Sequence, residues 1–196
     1  MNRTTETYNR AAEAYAEKFS HIGRRVADID RGIDLWGGEG EPCVVELGCG
    51  NGRDAQVIFE RTKRFTGVDA SKEMIRLARE WVPRALFLVE DMRTYEIPDG
   101  TDIVYAFASF LHLNREEVQQ LLTRIHGSLT DGGVVYLSVK RDDYHEYVRV
   151  DDYGPRTFYF YQESDFRLMA EGLYKMVYTD EQTLLGVEWL TVVLKK

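Results

Sequence analysis

Three acidic side chains recur at nearly even spacing in the first half of the chain. Glu46, Asp69 and Asp91 lie 23 and 22 residues apart, each at or just beyond the end of a short apolar run. If those runs are parallel strands, their carboxyl ends meet at one edge of a sheet, where open α/β folds bind ligands. This spacing predicts a nucleotide-type ligand, with Asp69 on ribose hydroxyls, Asp91 near an adenine amine and Glu46 facing a cationic group. For any single acid, the plain alternative is a helix cap or a solvated turn.

The first acid opens a glycine-rich turn, residues 46–52. Glycine permits a sharp turn and a close backbone approach to a ligand, and the following helix would present free N–H groups. A dinucleotide site would carry the pattern G-x-G-x-x-G, but Arg53 occupies the position of its third glycine. A carboxylate at Glu46 would also serve a pyrophosphate badly, whereas a sulfonium cofactor with an ammonium group is compatible with it.

The hydrophobic pattern after residue 42 predicts the elements that position these side chains. Short apolar runs alternate with helical periods, which indicates βαβ units around a parallel sheet buried on both faces. The runs are residues 43–47, 64–68, 85–89, 102–107 and 134–139, and the helices are 55–61, 71–81, 115–129 and a short one near 163–171. Two further runs, 174–183 and 187–194, have no helix between them and predict an antiparallel hairpin at the sheet edge.

Two helices are predicted before the sheet. The first follows from apolar side chains at helical spacing: Tyr8, Ala11, Ala12, Tyr15 and Phe19. The second follows from a weaker stripe: Ile22, Val26, Ile29 and Ile33. A glycine-rich segment and Pro42 then form the clearest linker in the chain. We therefore expect a helical cap over residues 1–40 and one sheet domain over residues 41–196.

Composition limits the function classes. The chain has 196 residues and a net charge of −8, which suits one globular domain and gives no general attraction to nucleic acid or to an anionic membrane. Its two cysteines, Cys43 and Cys49, have neither disulfide-framework nor metal-ligand spacing, so we predict no metal site and a reducing cytoplasm. The amino terminus lacks a signal-peptide pattern, and no apolar run is long enough to span a bilayer.

Four segments together resemble the class I S-adenosylmethionine-dependent methyltransferases: residues 46–52, 67–71 with Met74, 90–92 and 129–133. The resemblance covers about residues 42–140, and the terminal hairpin is similar to that family's antiparallel seventh strand. It implies an α/β, Rossmann-like fold: a seven-stranded, mostly parallel sheet with an antiparallel C-terminal hairpin, helices on both faces and an N-terminal helical cap. It also implies S-adenosyl-L-methionine as cofactor and S-adenosyl-L-homocysteine as product.

The resemblance implies roles for the residues of the glycine turn. Gly48, Gly50 and Asn51 would contact the methionine end of the cofactor. Arg53 would lie near its carboxylate or hold the loop. Cys49 also belongs to the predicted binding set, although filling space in the turn is an alternative role for it.

The adenosine end has its own predicted residues. Asp69 would hold the ribose, Ala70 and Met74 would flank the adenine, and Asp91 and Met92 would bind its edge. Two further residues complete the predicted cofactor-binding set: Tyr15 and Ala106. For Tyr15, core packing is an alternative.

Two residues are candidates for catalysis at the acceptor. Methyl transfer from a sulfonium requires alignment and exclusion of water, and a base only where the acceptor arrives protonated. His112 follows the fourth apolar run, where the acceptor pocket should open, and histidine titrates near neutral pH. It is a candidate base, or else it packs against the cofactor or caps the next helix. Tyr8 on the first helix is the second candidate, with core packing as its alternative.

Residues 141–165 are rich in aromatic and acidic side chains. Three arginines stand against seven acids, so a polyanionic partner is disfavoured and a small neutral or cationic acceptor fits better. The segment either forms a wall of the acceptor pocket or is an edge loop over the sheet. We predict a methyltransferase for a small molecule, acting as a monomer or homodimer, with no nucleic-acid or membrane partner. The rivals are a nucleotide-cofactor oxidoreductase of the NAD type and a non-catalytic S-adenosylmethionine-binding module.

Overall fold

A computed structural model describes residues 3–196 of the chain. The helices of this part are α1 (Arg3–Lys18), α2 (Val26–Trp36), α3 (Ala55–Arg61), α4 (Lys72–Trp81), α5 (Arg115–Ser128) and α6 (Glu163–Met169). Its strands are β1 (Val44–Leu47), β2 (Phe65–Asp69), β3 (Leu86–Val89), β4 (Thr101–Phe107), β5 (Leu129–Lys140), β6 (Glu146–Asp151), β7 (Gly154–Tyr159), β8 (Lys175–Leu184) and β9 (Val187–Lys195).

Seven of these strands form one sheet in the order β3-β2-β1-β4-β5-β9-β8. Strands β1 to β5 pair in parallel, whereas β9 runs antiparallel to both β5 and β8. Every residue of β1 and β4 is buried, as expected for central strands covered by helices on both faces. The predicted fold class is confirmed, including the antiparallel hairpin at the sheet edge.

Local side-chain chemistry fixes the starts of the helices that follow the site loops. The Ser71 hydroxyl accepts a hydrogen bond from the Met74 N–H at 3.2 Å, so it caps α4. At α5, Asn114 accepts from the Glu117 N–H while the Glu117 carboxylate accepts from the Asn114 N–H, each at 2.9 Å. This reciprocal pair is the predicted capping box, and it sets the first turn of α5.

Helix α2 packs against the main sheet. Ile29 is fully buried, its carbonyl accepts a hydrogen bond from the Tyr105 hydroxyl at 2.6 Å, and Lys195 donates to the Leu35 carbonyl at 2.7 Å. The first two positions of the predicted apolar stripe are wrong. Ile22 precedes the helix, and Val26 is 42% exposed. The division into a cap of residues 1–40 and a sheet domain stays a prediction, but these contacts join α2 to the sheet.

Residues 141–165 contain a second, two-stranded sheet that the sequence pattern did not predict. Strands β6 and β7 pair as an antiparallel hairpin, and α1 packs against it. The Thr7 hydroxyl of α1 donates to the Pro155 carbonyl at 2.7 Å. On the other side of α1, the Asn9 side-chain oxygen accepts from the Ser71 hydroxyl at 2.9 Å. Helix α1 therefore spans from the start of α4 to the hairpin.

Within residues 3–196, no helix combines the length and the apolar content needed to cross a membrane.

Candidate active site

A cleft of about 1160 Å³ opens at the carboxyl ends of β1, β2 and β4, beneath α1. The walls include all but one of the site residues predicted from the sequence: Tyr8, Tyr15, Glu46, Gly48, Cys49, Gly50, Asn51, Arg53, Asp69, Ala70, Met74, Asp91, Met92 and His112. The chain thus brings together side chains from its first helix, from three strand ends and from the loop after β4.

The prediction for Ala106 is wrong. This residue is fully buried inside β4 and packs in the core on the sheet face that α5 covers. Alternation along the strand turns its side chain into that core, and from β4 only Phe107, its last residue, lines the cleft. Ala108 lines the cleft instead, with a φ of 52°. Its N–H is held by the Ser138 carbonyl at 3.0 Å, and such strained backbone is typical of functional sites.

The glycine turn is required by close packing between the ends of β1 and β4. Gly48 has a φ of +74°, and a Cβ there would lie 2.3 Å from the Cβ of Ser109. The Ser109 hydroxyl donates to the Leu47 carbonyl at 2.7 Å, which keeps the two strand ends together. Gly52 has a φ of +81°, and a Cβ there would lie 3.0 Å from the Cα of Ala78. No other residue type fits Gly48 without displacing the cleft wall.

Glu46 is a buried carboxylate with an unsatisfied oxygen. The residue is 2% exposed, and its Oε2 has no hydrogen-bond partner in the described chain. Burial and the negative charge of Asp54 raise the pKa of Glu46 well above its usual value, although Arg25 and Arg53 oppose this. An unpaired buried carboxylate is costly, so the site is suited to a ligand that brings a cation or an N–H donor.

Asp69 is oriented by two backbone N–H groups. Its Oδ2 accepts from Gly50 at 2.9 Å and its Oδ1 from Ser71 at 2.8 Å. Burial raises the pKa of Asp69, while the two hydrogen bonds act in the opposite direction. Because each carboxylate oxygen can accept a second hydrogen bond, the group remains able to bind a pair of hydroxyls.

Asp91 enters the cleft as half of an ion pair. Arg93 donates to both of its oxygens, with Nη2 2.5 Å from Oδ2 and Nε 3.0 Å from Oδ1. Burial acts to raise the pKa of Asp91, but the hydrogen bonds and charge of Arg93 outweigh it and the pKa is lowered. The sequence pattern did not indicate this partner, although Arg93 stands only two residues away.

A cluster of two arginines around Asp54 forms the floor beside Glu46. Asp54 Oδ2 lies 2.6 Å from Arg25 Nη1 and 2.8 Å from Arg53 Nη2. Burial opposes ionisation of Asp54, but the two guanidinium groups lower its pKa overall. Arg25 was missed in the sequence because no local pattern links it to Asp54, 29 residues later. The predicted loop-holding role of Arg53 is compatible with this contact.

Tyr8 and His112, the two candidate catalytic residues, are hydrogen-bonded to each other. The Tyr8 oxygen is 3.1 Å from His112 Nε2, and His112 Nδ1 is 2.7 Å from the Thr157 carbonyl oxygen. Since a carbonyl only accepts, Nδ1 carries the proton and Nε2 accepts from the Tyr8 hydroxyl. Burial lowers the pKa of His112 to about 4, with Lys140 and Arg156 adding to the effect. The imidazole is therefore neutral at neutral pH.

The far wall of the cleft carries positive charge. Its side chains come from the end of β5 and from the second sheet: Lys140, Arg149, Asp151, Arg156 and Phe158. The sequence-based expectation of a neutral or cationic acceptor rested on the summed charge of residues 141–165. In β7, alternate residues are buried, so Arg156 and Phe158 face inward, and six of the seven acids of the segment are absent from the cleft wall.

The fold and the site define a class of protein. A glycine turn follows β1, acids lie at or next to the ends of β1 and β2, and β9 is antiparallel to β5, as in class I S-adenosylmethionine-dependent methyltransferases. The methyltransferase domain family matches residues 44–133. This match covers just under half of the chain and includes the glycine turn and the acids at positions 46, 69 and 91.

Individual relatives are similar to about half of the chain. A trans-aconitate 2-methyltransferase of Variovorax paradoxus is 35% identical over 99 residues, which are 49% of this chain and 38% of the relative. A protein of the same name from Rhodopseudomonas palustris is 36% identical over 98 residues, 47% of this chain and 36% of the relative. The chain thus spans less than two-fifths of the length of these curated relatives.

Solved structures share the whole fold at low sequence identity. An S-adenosylmethionine-dependent methyltransferase of Clostridium acetobutylicum has a TM-score of 0.75 at 14% identity, covering 96% of this chain and 98% of its own. The 1,6-didemethyltoxoflavin-N1-methyltransferase of Burkholderia thailandensis, solved with its acceptor and S-adenosylhomocysteine, has a TM-score of 0.70 at 20% identity, covering 98% and 86%. At these identities the likeness concerns the fold.

Proposed function

We propose that this protein transfers a methyl group from S-adenosylmethionine to a small-molecule acceptor and releases S-adenosylhomocysteine. The observation that carries the proposal is the unpartnered Oε2 of buried Glu46, which lies in one cleft with Asp69 and the glycine turn. When bound, the cofactor supplies an electrophilic methyl group on a sulfonium sulfur. The chain itself must hold the cofactor, orient the acceptor and keep water out.

The charges of the cleft suit the amino-acid end of this cofactor. Glu46 offers its free oxygen to the ammonium group. Arg25 and Arg53 share one carboxylate, Asp54, which leaves one positive charge to match the cofactor carboxylate. Gly48 leaves no room for a side chain, so the backbone of the turn itself lines the cleft.

The adenosine end would be held by the residues after β2 and β3. Asp69, fixed by the N–H groups of Gly50 and Ser71, would accept hydrogen bonds from the ribose hydroxyls. The apolar side chains of Ala70, Met74 and Met92 border the same part of the cleft and would enclose the adenine. Asp91, paired with Arg93, would lie at the adenine edge.

Helix α1 would act as a lid. It contributes Tyr8 and Tyr15 to the cleft, and it is held at its two sides by the Thr7 and Asn9 hydrogen bonds. A hinge would fall in residues 19–25, because α2 is fixed to the sheet before the glycine segment 37–40. In this proposal the moving part is α1 alone, a shorter segment than the predicted cap of residues 1–40.

The lid can be tested by Thr7→Val, which keeps the shape of the side chain and removes its donor. The Pro155 carbonyl loses its partner, at a cost of about 1–3 kcal/mol. We expect faster dissociation of S-adenosylhomocysteine, measured by stopped-flow fluorescence. Thr123→Val, at an exposed position on α5, is the control. An unchanged dissociation rate in Thr7→Val would remove the support for a lid.

The His112–Tyr8 pair would contact the acceptor. Neutral His112 has its Nε2 lone pair directed to the Tyr8 hydroxyl, so a proton from a protonated acceptor would reach His112 through Tyr8. The low pKa of His112 makes it a weak base. We therefore assign the pair a positioning role first, and proton transfer only for an acceptor that arrives protonated.

Neither the family match nor the fold identifies the compound that accepts the methyl group. Because curated relatives are trans-aconitate 2-methyltransferases, trans-aconitate is one compound to assay. The predicted cytoplasmic location, the monomeric or homodimeric state and the absence of a nucleic-acid partner stay predictions.

Thermal unfolding with S-adenosylhomocysteine tests the proposal. The ligand should raise the Tm of the wild type by an amount that grows with the logarithm of its excess over Kd. Asp69→Ala should lose most of the shift, whereas Asp34→Ala, at an exposed position on α2, should keep it. A shift with NADH and none with S-adenosylhomocysteine would favour the oxidoreductase. Tight S-adenosylmethionine binding without transfer to a broad acceptor panel would favour the binding module.

A further inference from the structure

The acceptor end of the cleft is organised around one aromatic ring. Lys140 Nζ lies 3.7 Å from the centroid of Phe158, and the guanidinium carbon of Arg156 lies 5.8 Å from it. The His112 ring packs on the same side chain at a centroid distance of 4.9 Å. All four residues line the cleft, so two cations and the Tyr8–His112 pair share one small region.

The cationic side chains of this region outnumber the carboxylates that face them. Asp151 is shared: its Oδ2 accepts from Arg156 and lies 2.9 Å from Arg149 Nε. Lys140 has no carboxylate within ion-pair distance among residues 3–196. Burial, together with the charges of Arg149 and Arg156, lowers the pKa of Lys140 to about 8. The region as a whole would be stabilised by an added negative charge.

Arg156 also offers an unused donor. The side chain is 3% exposed, and its Nε–H is buried without a hydrogen-bond partner in the described chain. A buried unsatisfied donor costs about 1–3 kcal/mol, and more on a charged group. Near Phe158, Nζ of Lys140 thus lacks a carboxylate partner and Nε of Arg156 lacks an acceptor, and the two oxygens of one carboxylate can accept from both.

We propose that the methyl acceptor carries a carboxylate, which Lys140 and Arg156 bind over the ring of Phe158. This inference rests on the proposed function and adds the substrate class. It replaces the neutral or cationic acceptor that the charge count of residues 141–165 favoured. An acceptor held in this way lies beside Tyr8 and His112, across the cleft from Glu46 of the glycine turn.

Three small compounds of nearly equal shape and different charge provide the test: benzoate, benzamide and benzamidinium. Each is titrated at up to millimolar concentration into the protein saturated with S-adenosylhomocysteine, and binding is followed by ligand-observed NMR. We expect benzoate to bind about ten-fold tighter than benzamide, because one charge-assisted hydrogen bond contributes about that much affinity. Benzamidinium should bind weakest. Lys140→Gln should abolish the preference for benzoate, and Lys140→Arg should retain it.

Lys175→Gln, which removes an exposed lysine on β8, is the matched control and should bind benzoate as the wild type does. Equal binding of the three compounds, binding of none of them, or a preference that survives Lys140→Gln would overturn the carboxylate site. S-adenosylhomocysteine binding is measured on each variant by calorimetry. Its absence in the wild type would defeat the proposed function instead, so the two failures are distinguishable.

Discussion

The Tyr8 hydroxyl lies 3.1 Å from Nε2 of His112, although 104 residues separate the two in sequence. The contact exists because α1 lies across the cleft and the turn after β4 presents His112 from below. The Thr157 carbonyl fixes the histidine tautomer from the other side at 2.7 Å. One hydrogen-bonded chain thus joins the first helix, the turn after β4 and the β6–β7 hairpin at the proposed acceptor site.

Replacing Tyr8 by Phe removes the hydroxyl and keeps the ring that packs on Tyr15. We expect kcat/KM to fall roughly five-fold, since one hydrogen bond contributes about 1 kcal/mol. The loss should appear mainly in KM for the acceptor, because the pair positions more than it transfers protons. Steady-state kinetics check this. A fall in kcat of about 10² or more at unchanged KM would instead indicate general-base catalysis.

The pH response of His112 follows from its surroundings. Its pKa in the folded protein is about 4, against an ordinary value of 6.5, so the unfolded chain binds the proton more tightly. The contribution of His112 to stability is complete above pH 6.5 and is lost as the pH falls towards 4. An NMR titration should show a midpoint near 4 and an Nδ1–H tautomer, with the signal assigned by its absence in His112→Asn. A midpoint above 6 would contradict the burial described here.

Glu46→Gln should stabilise the cofactor-free protein and weaken cofactor binding. Burial raises the pKa of Glu46 in the folded protein. The free energy of unfolding is therefore highest below the ordinary pKa of 4.5, and it declines as the pH rises from there through the raised pKa. At pH 7 we expect a gain of about 1 kcal/mol, or about 2–4 °C in Tm. The difference should vanish near pH 4, and S-adenosylhomocysteine should bind about ten-fold or more weakly.

Thermal scans at the two pH values and calorimetry measure both effects. Glu96→Gln, at an exposed position, is the control and should alter neither. A variant less stable than the wild type at pH 7 would show that Glu46 is paired and not strained.

Gly48→Ala should disrupt the cleft more than a comparable change elsewhere. A left-handed φ costs about 1–2 kcal/mol for a residue with a Cβ. At Gly48 the added Cβ also meets Ser109, whereas at Gly100, with a φ of +79°, it meets open space. We expect both variants to lose stability, with Gly48→Ala losing more and also losing S-adenosylhomocysteine binding. Equal Tm values and intact binding would argue against close packing of the turn.

The sequence by itself determined the elements of the main sheet and one half of the site. Helix α3 begins and ends where the pattern predicts, and the Ser71 and Asn114 caps start α4 and α5. The acids at positions 46 and 69 reach the cleft because the carboxyl ends of parallel strands must share one edge. Such features depend on local periodicity and on the rules of sheet topology, and both can be applied to a single sequence.

Tertiary structure alone decided the other half. The meeting of Tyr8 with His112, and of Arg25 with Asp54, depends on how distant segments pack, and no local spacing records it. The net charge of residues 141–165 was also misleading, because an unpredicted hairpin turns Arg156 inward and most of the acids outward. A sequence gives the charges of a segment, but only packing against α1 and the sheet decides which of them face the ligand.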